Sequence, residues 1–181
     1  MTGIERTVTI SRHDDGPEFP PTLDLVPALI GGVGLVAAGL AAGGNGALAV
    51  ARTLAGAAFL GSVTDAMLLG HWYLVQPGLP RRLLFEQVRA MLLVWPVEVA
   101  LLLVPTGMVS VLDGRIDDGW NGLLGWFWLA SAVATVVLGF VTRAALKERA
   151  YSAVMAATGL LYLAMLTAFG TDLVARAVLA P

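Results

Sequence analysis

The sequence contains no cysteine, and charged residues make up only 13% of its 181 residues. Without cysteine, disulfides, thiolate-bound metals, iron–sulfur clusters and covalently attached c-type haem are excluded. Any redox chemistry would therefore need a non-covalent cofactor. The charged fraction is about half of the roughly 25% that is typical of soluble domains. A soluble globular enzyme is effectively excluded.

Basic residues are also few, since eleven lysines and arginines are scattered singly or in pairs and the net charge is -2. No basic stripe exists that could neutralise a phosphate backbone, so we expect no nucleic acid partner. The sequence also lacks a G-x-S-x-G motif and a phosphate-binding loop. Because the polar connections are too short to form a catalytic domain, we expect no catalytic activity from the chain alone.

Hydrophobic residues make up 57% of the chain, and its mean hydropathy is +0.80. They are gathered in apolar stretches that are long enough, as helices, to cross about 30 Å of hydrocarbon. The sequence therefore predicts an all-α, polytopic integral membrane helix bundle with about five transmembrane helices, in one domain over residues 23–181. The predicted spans cover residues 25–43, 54–75, 83–112, 123–146 and 151–178.

The first 22 residues carry charges of both signs and three prolines. Such a segment cannot bury enough apolar surface to offset the entropy of ordering. We predict a polar cytoplasmic tail over residues 1–22. It does not fit a secretory signal peptide, because the polar region before the first apolar stretch is too long and too acidic.

The distribution of basic residues predicts the orientation. Eight of them fall on the side of the tail and the even-numbered connections, and three fall on the other side: Arg52, Arg115 and Arg176. The positive-inside rule then places the N-terminus in the cytoplasm and the C-terminus outside. The preference for Arg over Lys, with abundant Ala and Gly, is typical of a GC-rich bacterial gene, so we expect a bacterial inner membrane.

Aromatic residues agree with this layout. Trp72 and Tyr73 fall at the cytoplasmic end of the second span, and Trp120, Trp126 and Trp128 fall near the outer end of the fourth. We interpret all five as interfacial anchors.

Two carboxyls, Asp65 and Glu98, fall near the middle of the second and third spans. A charged group at this depth costs several kcal/mol unless it is paired, protonated or faces water. Glu98 follows Pro96, which removes one backbone hydrogen bond from its helix. Asp65 and Glu98 could form a proton relay, or they could share a proton and serve only as an interhelical clamp.

His71 is the single histidine within a predicted span, and Glu86 and Arg89 fall at a similar depth at the start of the third span. An imidazole beside a carboxylate could hydrogen-bond a quinone and pass a proton to it. We therefore predict a candidate quinone site at the cytoplasmic boundary. Its residues would be His71, Glu86 and Arg89, with Trp72 and Tyr73 beside them. The alternative is an ordinary helix end that faces the lipid headgroups.

Haem b is the alternative cofactor, and membrane haems are commonly held by two His or Met side chains. With one histidine in a span, His71 could serve as an axial ligand only beside a Met such as Met91 or beside a histidine of another chain. No other metal site is predicted. Asp172 and Arg176 lie four residues apart, which predicts a structural ion pair.

These features favour a small integral membrane subunit of a bacterial respiratory or electron-transfer complex, either a scaffold or a quinone-proximal chain. Its partners would be the lipid bilayer and other membrane subunits. One alternative is a small proton-coupled transporter that uses Asp65 and Glu98. Another is a membrane anchor or assembly factor without chemistry of its own.

Overall fold

The computed structural model describes residues 21–76, 79–104, 107–148 and 150–179. The predicted polar tail therefore lies outside the described residues except for its last two positions. The described part of the chain is helical and contains no strand. After a short 3-10 helix (Pro21–Asp24), it forms six α-helices: α1 (Leu25–Ala41), α2 (Gly46–Val75), α3 (Arg82–Leu103), α4 (Met108–Leu112), α5 (Leu123–Ala145) and α6 (Tyr151–Leu179).

Three of these helices, α2, α5 and α6, are long and apolar enough to cross a membrane. The apolar helix α1 is shorter, with 17 residues. Helix α3 has 22 residues but carries Arg82, Glu86, Arg89 and Glu98. The chain is thus an all-helical protein with three candidate membrane spans in the described residues.

Helix α2 begins at Gly46, eight residues before the predicted start of the second span. The side chain of Asn45 caps this end, because its Oδ1 accepts a hydrogen bond from the backbone N–H of Leu48 at 3.3 Å. An asparagine at this position satisfies a donor that would otherwise lack a partner in the first turn. As a result Arg52, assigned to a connection by the sequence, lies inside α2.

The predicted third span, residues 83–112, is wrong at its C-terminal boundary, because α3 ends at Leu103 and α4 is a separate helix. Val104 is extended, with φ -112° and ψ 151°, which is the conformation favoured before a proline. At Gly107, a Cβ atom would collide with the carbonyl oxygen of Leu102. The chain can turn this closely only because position 107 is glycine.

Helices α2, α3, α5 and α6 form the bundle, and α1 packs on α2. At one end of the bundle, α4 and the C-terminal turns of α3 and α6 surround a core of Leu102, Met108, Val111, Trp128 and Ala175. We call this the α4 end.

The aromatic residues divide into exposed and buried groups. Trp72, Trp120 and Trp126 are exposed, as interfacial anchors would be. In contrast, Trp128 and Tyr73 are buried in the bundle, so the interpretation of these two as interfacial anchors is wrong. Tyr73 donates a hydrogen bond to the carbonyl of Pro80 and closes the connection after α2. Position along the sequence does not indicate which face of a helix such a ring occupies.

Candidate functional site

Glu98 is the most unusual side chain in the bundle. It lies on α3, five residues before the end of the helix, and its exposure is 0%. Neither carboxyl oxygen has a hydrogen-bond partner. An ionised carboxylate in such surroundings would be very costly.

Asp172 and Arg176 of α6 form the ion pair that their spacing predicts. The Nε atom of Arg176 donates to Oδ1 and Oδ2 of Asp172 at 2.9 and 2.8 Å. Its Nη2 atom also donates to the backbone carbonyl of Arg52 at 3.3 Å. The Asp172 side chain is buried, whereas that of Arg176 is 40% exposed. The pair thus extends from the interior of the bundle towards its surface.

Arg52 joins α2 to the end of α3. Its Nε donates to the carbonyl of Leu101 at 2.9 Å, and its Nη2 donates to the carbonyl of Val104 at 2.8 Å. The last carbonyls of a helix have no partner within the helix and carry a partial negative charge. Arg52 therefore neutralises the C-terminus of α3 and forms no salt bridge with a carboxylate in the described residues.

Gly56 makes room for the Asp172–Arg176 pair. A Cβ atom at position 56 would lie 2.7 Å from Oδ1 of Asp172 and would also collide with the guanidinium of Arg176. The absence of a side chain at this buried position of α2 allows the ion pair to approach the helix backbone. The glycine is therefore part of the site.

Together Arg52, Glu98, Asp172 and Arg176 form what we call the charged cluster, at the α4 end. Glu98 is within electrostatic range of the other three. Asp172 is close enough to Glu98 to interact with it, although no hydrogen bond of ordinary geometry joins the two carboxyls. This arrangement can hold three helices together and can hold a proton.

Asp65 is not part of the charged cluster. It is exposed on α2, ten residues before the end of the helix, and forms no hydrogen bond or ion pair with another described residue. Nine positions separate it from Gly56, which corresponds to about 180° around a helix. The structure thus places Asp65 on the outer face of α2 and Glu98 in the interior, and it does not bring the two carboxyls together.

The residues of the candidate quinone site are also distributed differently from the prediction. His71 is exposed, and its Nδ1 lies 3.3 Å from the hydroxyl of Tyr162 on α6, with the rings edge to face. Glu86 forms an exposed ion pair with Arg82 at 3.0 Å. Arg89 is exposed. In the described part of the chain no hydrogen bond joins His71 to Glu86 or Arg89.

Metal-binding chemistry finds no support among the described residues, where no group of three or more His, Cys, Asp or Glu side chains could hold an ion. For the haem alternative, Met91 is buried beside Gly139, whereas His71 lies on the surface. The described chain does not bring these two side chains together as a pair of axial ligands.

Sequence reasoning missed Arg52 as a site residue because it placed the start of the second span at Leu54. The signal that could have found it is Asn45, an N-cap residue directly before Gly46. A helix that begins there contains Arg52 on its second turn. The pairing of Glu98 with α6 had no local signal, because residues 98 and 172 are far apart in the sequence.

The chain matches no family model, and it has no significant match among the curated proteins or the solved structures. The functional argument therefore depends on the chemistry of its own residues.

Proposed function

We propose that this chain is a small integral membrane subunit that assembles with another membrane chain, in a bacterial respiratory or electron-transfer complex of the inner membrane. The proposal includes five crossings and a cytoplasmic N-terminus. One observation carries the assembly: Asp65, a carboxyl ten residues or about 15 Å before the end of α2, is exposed and has no partner among the described residues. The respiratory role is a more specific proposal, and the His71→Ala variant tests it separately.

An ionised carboxyl that faces lipid at this depth is destabilising unless a partner compensates for its charge. An ionised carboxylate at the centre of a bilayer costs about 3 kcal/mol or more, and such residues normally face protein or water. A donor on a neighbouring helix would remove most of this cost. No helix of the described chain covers Asp65, so the donor would come from another chain.

The surface around Asp65 suits a second helix. Ala58, Gly61 and Leu68 are exposed with it at spacings of three and four residues, and a Cβ atom at Gly61 would meet nothing within 4 Å. Small residues at this spacing let helix backbones approach closely in membranes. We propose that the occupant is a transmembrane helix of another chain with an Arg, Lys or amide donor at the depth of Asp65.

Cysteine crosslinking tests the assembly directly, because the natural chain has no cysteine. A Gly61→Cys variant, produced in native membranes and treated with a thiol-directed photocrosslinker, should form an adduct with a different membrane chain. Asp65→Leu in the same background should reduce the yield several-fold, because the donor on the partner loses its acceptor.

Leu163→Cys on α6 is the matched control, since Leu163 is 52% exposed on another face of the bundle. Its adducts report random encounters in the membrane. The proposal is contradicted if Gly61→Cys gives no more protein adduct than Leu163→Cys. It is also contradicted if the adduct joins two copies of this chain, since Asp65 would then serve self-association.

The quinone-proximal role rests on His71, an imidazole next to Tyr162 and the exposed Trp72 at the end of α2. His71→Ala should reduce quinone-dependent electron transfer by the assembled complex while the complex remains intact. Tyr162→Phe is the control, because it removes the hydroxyl but keeps the ring. Full activity of an intact His71→Ala complex would leave a scaffold role instead.

A further inference from the structure

We infer that Glu98 is a proton-binding site, which holds its proton at neutral pH and exchanges it with water at the α4 end of the bundle. The ligand is a proton, taken from water onto one carboxyl oxygen of Glu98 and returned to the same aqueous phase. This inference concerns the interior of the bundle. It is independent of the assembly proposed at Asp65.

Burial is the first step of the argument. Glu98 has 0% exposure and no hydrogen-bond donor on either oxygen. A carboxylate is stable inside a protein when donors or a close cation compensate for its lost hydration. With no donor present, the neutral acid is the form that this environment tolerates.

The charged groups around Glu98 are already engaged. From α6, Arg176 directs its Nε to both oxygens of Asp172. From α2, Arg52 donates to the carbonyls of Leu101 and Val104. Among the described residues, α4 and α5 bring no charged group to Glu98.

Asp172 adds a second reason for the neutral form. Two carboxyls in one low-dielectric site do not both ionise readily, and the proton settles on the one with the poorer compensation. Asp172 has an arginine in contact with it and Glu98 does not. The proton therefore belongs to Glu98, and Asp172 is the ionised neighbour.

Exchange with water is possible because the charged cluster reaches the surface. The Arg176 side chain is 40% exposed while its partner Asp172 is 5% exposed, and Glu98 lies beyond them at 0%. Arg52 contacts the exposed end of α3. The charged cluster thus extends from the solvent-exposed guanidinium of Arg176 to the buried carboxyl of Glu98.

Infrared spectroscopy of the full chain in lipid, at neutral pH, tests the inference. The expected result is the carbonyl band of one protonated carboxylic acid, shifted in D₂O, absent from Glu98→Gln and unchanged in Glu86→Gln. Glu86 is a suitable control because it is an exposed glutamate on the same helix. The inference is overturned if the wild-type protein has no such band, or if the band persists in Glu98→Gln.

A measurement on the unmodified sequence covers the case in which Glu98→Gln fails to fold. Incorporation of ¹³C-labelled glutamate shifts the band of a protonated glutamate and leaves that of an aspartate in place. A band that does not shift would assign the proton to an aspartate and overturn the inference. A band that does not shift in D₂O would show that the proton does not exchange with water, which would also overturn the inference.

Discussion

Asp118 shows how much a single side chain outside the helices contributes to this fold. Its carboxylate accepts hydrogen bonds from four backbone N–H groups at 2.8 to 3.3 Å, those of Trp120, Gly122, Leu124 and Gly125. These bonds fix the connection after α4 and satisfy donors in the first turn of α5. An acidic group at a helix N-terminus also interacts favourably with the helix dipole.

We expect Asp118 to make stability depend on pH. Partial removal from water raises the pKa of the Asp118 carboxyl, but the four backbone donors outweigh this effect and hold the pKa below its ordinary value of 3.8. A carboxyl with a lowered pKa in the folded state stabilises the fold fully above its unfolded pKa, and this contribution is lost as the pH falls through the folded value.

Asp118→Asn should therefore lower the thermal unfolding midpoint in detergent at neutral pH and make the acid side of the stability profile flatter. Asp117→Asn is the matched control, since Asp117 accepts one bond only, from the N–H of Gly119. Equal effects of the two variants at neutral pH would contradict the capping role of Asp118.

The predictable side chains were those whose partners are local in the sequence. Asp172 and Arg176 are four residues apart on one helix, and the spacing alone predicts their contact. The surroundings of Glu98 depend instead on how α2, α3 and α6 pack. No pattern within α3 indicates that its neighbours are Arg52 and Asp172, so the prediction paired it with Asp65 on depth alone.

Two glycines illustrate how the helices α1 and α2 use small residues differently. A Cβ atom at Gly39 would lie 2.6 Å from the Cα of Val50, so α1 and α2 approach each other closely at this position. At Gly61 of α2, a Cβ atom would meet nothing within 4 Å. The first glycine serves packing within the chain, and the second leaves an open surface.

Gly39→Ala should destabilise the isolated chain by about 1–3 kcal/mol, the usual cost of overpacking against a rigid neighbour. Gly61→Ala should be neutral or stabilising by up to about 1 kcal/mol, because alanine favours helix and no clash opposes it. Thermal unfolding of both variants in the same detergent measures the difference. A destabilising Gly61→Ala beside a neutral Gly39→Ala would contradict the packing of α1 on α2.

At the level of helices, the sequence located most of the helical segments but misplaced two boundaries. Hydropathy decides where a segment can be buried, whereas capping and turn geometry decide where a helix begins and ends. Asn45 extends α2 towards the N-terminus, and the turn at Gly107 separates α4 from α3. Both signals are weaker than the apolar runs that surround them, so the predicted spans followed the runs.

The three basic residues on the predicted outer side all have partners within the chain, although the positive-inside rule disfavours basic residues there. Of the three basic residues on the predicted outer side, Arg52 and Arg176 are fixed within the charged cluster. Arg115, the third, is paired with Asp113. Their positions are thus explained by contacts within the fold, and the predicted outer side retains no basic residue without a described partner.

The end of the bundle opposite the α4 end has basic residues in its connections. Arg81, before α3, donates to the carbonyls of Glu148 and Ala150, which lie between α5 and α6. The connections after α2 and after α5 are therefore at the same end, together with Arg82 and Lys147. A folded bundle has to place both connections on one side of the membrane, and the positive-inside rule favours the cytoplasm.

Reporter fusions after Gln76 and after Glu148 should both report the cytoplasm, and a fusion after Asp117 should report the outside. The charge distribution sets the direction, and the Arg81 contacts require the first two to agree. Helix α1 is shorter than the hydrocarbon layer, since its 17 residues span about 25 Å against about 30 Å of hydrocarbon. A tag before residue 21 shows whether α1 crosses the membrane. A cytoplasmic tag means that α1 crosses and the chain has five spans, whereas an external tag with the other reporters unchanged means that α1 lies along the membrane or enters it only partly. Disagreement between the Gln76 and Glu148 reporters would contradict the bundle itself.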